Sequence, residues 1–228
     1  AASEPAAASE PAAASEPAAS PEPAATAEPA AVEPPAAPEP AMEAASSAGP
    51  LHLNAHIVHH PPTADTVARA VQKTLAAHLN GDVVLGSDSV ADLAALEARV
   101  RQPDTVVVLL LSSGSLRQSI EVLQVLTAIE AEAPIVAVQL PSYELVLTAA
   151  WLARLDSRLA PTDAATLRRR KRGLTEAAWR LSSVVPSLVP LQVDNTSVPA
   201  GALLDALRAA PPARPHGSLA DWLAQRDR

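Results

Sequence analysis

Apolar and polar positions alternate between two periods along most of this chain. Leu51 to Val58 reads as a strand, ended by Pro61-Pro62. Thr63 or Asp65 is a helix cap. Val67, Val71, Leu75 and Leu79 then recur every fourth residue, the stripe of an amphipathic helix that Asn80-Gly81 stops. Asp82 to Leu85 is a short strand. Ser87 to Ser89 offer caps for a second helix carrying Val90, Leu93, Leu96 and Val100, which Pro103 breaks. Val106 to Leu111 is an unbroken run of valine and leucine, as a strand covered on both faces requires.

The spacing predicts a helix from Leu116 to Ala131 and a buried strand from Ile135 to Leu140. A helical stretch follows Pro141-Ser142 with Leu145, Leu147, Trp151, Leu152 and Leu155. One long helix is expected from Asp163 to Leu181, a fifth strand from Val189 to Val193, a helix from Pro199 to Ala209, and a short appended helix from Ser218 to Arg226. Strands alternating with helices imply right-handed crossovers and a parallel sheet covered on both faces. The expectation is a flavodoxin-like, five-stranded α/β domain over residues 51–210, with a C-terminal extension over 211–228. Val108 and Leu110 should be core residues of its central strand, with Ile135 and Val136 beside them. Ligands of such a fold lie beyond the carboxyl ends of the strands.

The first 50 residues have neither period. Pro5, Pro11, Pro17, Pro23, Pro29 and Pro35 are spaced by six, and Ser-Glu-Pro occurs three times. Proline removes a backbone donor, and alanine with glutamate offers too little apolar surface to offset ordering entropy. Residues 1–50 are therefore expected to be a disordered, partly polyproline spacer. This segment holds eight glutamates and no base, while the remaining 178 residues carry 17 acids and all 17 bases. The net charge of −8 belongs to the spacer, and the domain has no overall field to draw in nucleic acid or membrane. No cysteine is present, which excludes disulfides, zinc–thiolate and iron–sulfur sites and thiol nucleophiles. The chain does not start with Met and reads as a fragment or processed form. With no secretory signal visible, a cytoplasmic location is expected.

Several occupants of this fold class are excluded by their loops. His59-His60-Pro61-Pro62-Thr63 follows the first strand, and its two prolines remove amides that a flavodoxin-type phosphate loop would need. The third strand ends in Leu111-Ser112-Ser113 without the aspartate of a response-regulator receiver. No GxGxxG, GxxxxGK or GxSxG pattern occurs.

The run Val106 to Leu116, the helix through Ile120 and Ile129, and Ala133-Pro134-Ile135 before the fourth strand resemble the TIR (Toll/interleukin-1 receptor) domain. Asp65-Thr66, at the opening of the first helix, and Pro186 to Pro190, before strand five, fit the same pattern. The resemblance spans about residues 51–210, and its specific part is the segment from strand three to strand four. It implies a signalling or scaffold module acting by self-association or by docking other TIR-like domains. In enzymatic members a glutamate on the third helix cleaves the nicotinamide–ribose bond of NAD, so NAD is the candidate substrate. Aligning Ser115-Leu116 with the family places Gln124 at that glutamate, Glu121 at a cysteine and Ile120 at a tryptophan. Gln124 cannot carry the charge that stabilises an oxocarbenium-like transition state. Glu121 lies one turn earlier on the same helix face and is the substitute acid. The candidate catalytic residues are thus Glu121 and Gln124, and the candidate nucleotide-binding residues are Ser112, Ser113 and Ser115. The bland alternative makes Glu121 and Gln124 the solvated side of an amphipathic helix. The Gly86 to Ser89 segment is shorter than the usual TIR loop after strand two, and lacks its Gly/Pro signature.

Two further clusters carry less. His52 and His56 share a strand face, but no carboxylate stands at ligand spacing and no metal is expected. The run Arg168 to Arg172 should wrap a solvated helix, and without aromatics for base stacking no nucleic-acid partner is expected. Three functions stay open: a TIR-like association module, a TIR-type NAD glycohydrolase using Glu121, and an α/β ligand-binding domain of other descent.

Overall fold

The computed structural model describes residues 51–89, 92–141, 143, 147–170, 172–194 and 198–226. The expected spacer, residues 1–50, lies outside the described residues, as do Val90 and Leu145.

Five parallel strands form one sheet: β1 (Asn54–Val58), β2 (Val83–Leu85), β3 (Thr105–Leu111), β4 (Ile135–Gln139) and β5 (Leu191–Gln192), in the order β2-β1-β3-β4-β5. This is the doubly wound α/β arrangement expected from the alternating pattern. All seven residues of β3 are buried, because the strand has neighbours on both edges and helices over both faces. Side chains alternate between the two layers. Ile57, Val108, Leu110 and Val136 join one apolar cluster with α1 (Pro61–Ala76) and α8 (Ala200–Ala209). Val58, Leu109, Leu111 and Ile135 join the other with α3 (Ser119–Glu130) and α7 (Leu174–Val184). The pairings Val107↔Ile135 and Val108↔Val136 place both expected β4 residues beside the central strand.

Several boundaries differ from the sequence expectation. Pro61-Pro62 open α1 instead of merely ending β1, since a proline in the first helical turn sacrifices no intrahelical bond. The helix is not capped by Thr63 or Asp65; its N-cap is His60. Ser87 to Ser89 lie in a single 3-10 turn (Gly86–Ser89), and Asp92 caps α2 (Leu93–Val100) by accepting from the Ala95 amide at 2.9 Å. The stretch after β4 contains the short helices α4 (Ala149–Leu152) and α5 (Leu155–Arg158). The expected long helix is two: α6 (Pro161–Arg169), and α7 with Gly173 as its N-cap. The basic run therefore does not wrap a continuous helix. Arg168 and Arg169 end α6, and Arg172 pairs with Glu130 of α3. The fifth strand is only two residues long, and Val189 stands outside it. The C-terminal extension packs on the domain: Ala213 is in the core, and α9 (Leu219–Arg226) carries Trp222 against the same cluster. Among the described residues no helix is long and apolar enough to cross a membrane.

Candidate functional site

In the observed strand order the chain leaves β1 toward one face of the sheet and β3 toward the other. The carboxyl ends of these adjacent strands flank the crevice where doubly wound folds bind ligands. His59 and His60 follow β1, and residues 112–118 join β3 to α3. Both segments are tied down by hydrogen bonds.

The turn after β3 is built around serine. The Ser112 amide donates to Ser115 Oγ at 2.8 Å, and Ser115 Oγ donates to the Leu110 carbonyl at 3.0 Å. Ser112 Oγ lies 2.7 Å from Thr63 Oγ1, which joins the turn to the start of α1. Ser112 and Ser115 are buried and committed to these bonds, whereas Ser113 is exposed. The backbone then passes through Leu116 at φ 60°, a conformation costly for a residue with a side chain. The Leu116 amide donates to Glu121 Oε2 at 2.6 Å. The first turn of α3 is capped from another helix, with Asp163 of α6 accepting from the Ser119 amide at 2.9 Å and from its hydroxyl at 2.6 Å.

Glu121 is only 2% exposed. Its second oxygen, Oε1, accepts from His60 Nδ1 at 2.7 Å. Burial pushes the Glu121 carboxyl above its usual range, while His60 and the Leu116 amide pull it back. Gly114 sits against the other side of the His60 ring, so closely that a Cβ there would collide with it. Glycine is what allows the turn to cover the histidine.

Gln124 is also 2% exposed, one turn along the same helix. Its Oε1 accepts from His56 Nε2 of β1 at 2.9 Å. Gly86, directly after β2, touches this amide closely enough that a Cβ would displace it. Burial depresses the His56 pKa, with the Gln124 hydrogen bond opposing the shift. His59 is 4% exposed, and neither ring nitrogen has a hydrogen-bond partner; Asp65 Oδ1 stands 3.4 Å from Nε2. Burial holds its pKa low as well, partly offset by Asp65.

No protein-family model and no curated protein matches this chain.

The site's chemistry must therefore be taken from its own atoms. Glu121 and Gln124 are not the solvated side of α3; both face inward, against the chain leaving or forming β1. Ser112 and Ser115 share one network with Thr63, Glu121 bonds separately to His60 and the Leu116 amide, and Ser113 is exposed. His52 is exposed and His56 is engaged with Gln124, so those two histidines do not converge on one ion. The sequence pattern did not reveal His60, His56 and Thr63 as partners of Glu121, Gln124 and Ser112. The usable clue was position: in this strand order, residues just after β1 must face residues just after β3. Chemically, the arrangement can hold a carboxylate against a histidine in a water-poor pocket. Both carboxylate oxygens are occupied by groups of the same chain.

Proposed function

We propose that this domain is a TIR-like association module that does not turn over NAD. The observation that carries the reading is the state of Glu121. An acid that steadies positive charge developing on a ribose must present a free oxygen to that sugar. Glu121 instead commits one oxygen to His60 and the other to the Leu116 amide, under a turn that leaves it 2% exposed. Gln124, at the family's catalytic position, is neutral and bonded to His56. The same closure argues against a ligand-binding domain of other descent, whose crevice would have to admit its ligand between β1 and β3.

The second reading, a TIR-type NAD glycohydrolase, draws on the raised pKa of Glu121 and its His60 partner, features that catalytic acids share. It requires the turn at residues 112–118 to open. Association is tested by sedimentation velocity of the full chain over rising concentration. A weight-average sedimentation coefficient that climbs with concentration is expected; a concentration-independent monomer would remove the association reading.

A further inference from the structure

At the other end of β4 lies a surface that the proposed function leaves unassigned. β5 pairs with β4 only through Val138↔Leu191 and Gln139↔Gln192. Beside residues 135–137 the chain has not yet entered the strand, and a notch of ≈ 310 Å³ remains. Leu188 and Val189 border it on one side, with Ala209 of α8 and Pro211 on the other. Among the described residues no charged side chain lines it. Val189 is 91% exposed, and among the described residues it is the one large apolar side chain left in solvent.

We propose that this notch is a homotypic interface in which Val189 of one copy enters the notch of a second. The inference rests on the association reading and names its surface. An apolar projection and an apolar recess on one patch are the two halves of an isologous contact, in which residue i meets j and j meets i about a two-fold axis. Val189 is suited to the projecting role. It precedes Pro190, which restricts its backbone to extended conformations, and its β-branched side chain has few rotamers, so little freedom is lost on docking. An extended peptide added to the sheet edge fits less well. Pro190 stands directly before β5 and Pro211 lines the notch, and neither can donate to a ladder. A charged partner would meet no charged side chain among the residues that line the notch. With one projecting side chain per copy the contact belongs with small, transient interfaces, so association should be weak and concentration-dependent.

The test is sedimentation velocity of the 228-residue chain from about 1 μM to about 1 mM. Val189→Asp and Ala209→Glu change exposed positions and should leave the fold intact, which circular dichroism checks. Each should abolish the rise in sedimentation coefficient seen for the wild type. Because the chain lacks cysteine, Val189→Cys and Ala209→Cys chains can be mixed under oxidation, and the mixture should give more covalent dimer than either alone. If the wild type associates and Val189→Asp associates equally, this surface is wrong while the association reading survives. If the wild type stays monomeric throughout, both fall. Equal cross-linking in the mixture and in the single variants would overturn the projection-into-recess geometry.

Discussion

Leu110 and Ser112 are two residues apart on the same stretch of chain, and both are fully buried. Leu110 is held by non-directional packing within an apolar layer. Ser112 is held by Ser115 and Thr63 at defined distances. The body of β3 therefore draws its stability from area removed from water, while its mouth depends on each polar group keeping its partner. In the body, a substitution should cost in proportion to the volume lost. At the mouth, it should cost according to which donor or acceptor is left alone.

The largest effect should come from the body. Leu110→Ala should lower stability by ~2–5 kcal/mol in urea denaturation, as a buried large-to-small change with a cavity left behind. A loss under ~0.5 kcal/mol would place Leu110 at the surface and break the comparison. At the mouth, Glu121→Ala strips partners from the His60 ring and from the Leu116 amide. A net cost of ~1–3 kcal/mol is expected, because removing the carboxyl strands both groups but also relieves its own burial. If Glu121→Ala were neutral, the mouth would not be held by its hydrogen bonds.

Titration separates the two further, because the buried titratable groups among the described residues, His56, His59 and Glu121, lie at the mouth or on β1 beside it. His56 and His59 are both held below their usual pKa by burial. Below ~6.5 the unfolded chain then binds more protons than the folded one, so stability falls as pH drops through that range. Glu121, shifted upward, has the opposite sign and favours the fold as pH falls toward its ordinary value. Thermal midpoints measured from pH 7.5 to pH 5.5 should therefore decline less steeply for His59→Leu than for the wild type. Equal slopes would mean that His59 titrates normally in the fold. The smallest effect should follow removal of residues 1–50, whose Ala/Pro/Glu composition offers no core surface. The thermal midpoint should move by less than about 2 °C.

The body was legible in the sequence because six consecutive apolar residues admit few other readings, and β3 spans that run. The helix ends were less so. The single expected helix over 163–181 concealed a break, since its apolar spacing continues through the basic run and only Gly173 marks the stop. β5 is shorter than its sequence suggests because Val189 has the character of a strand residue, whereas Pro190 delays pairing until Leu191. At the mouth, Glu121, Ser112 and Ser115 could be singled out from their place after β3. Their partners could not, because His60 with Glu121 and His56 with Gln124 are 61 and 68 residues apart. Those pairs follow from the β1–β3 register, which local periodicity does not contain.

The mouth of β3 is closed upon itself by its own hydrogen bonds, and the proposed association reading requires that NAD not reach Glu121. Nicotinamide release from NAD by the purified full chain tests this most directly, with Glu121→Gln and Gln124→Glu measured alongside. No release above the protein-free blank is expected for the wild type and for Glu121→Gln. Gln124→Glu should produce release only if the turn over Glu121 opens to admit the sugar. Ready release by the wild type, lost in a folded Glu121→Gln variant, would show an open mouth and make Glu121 a catalytic acid.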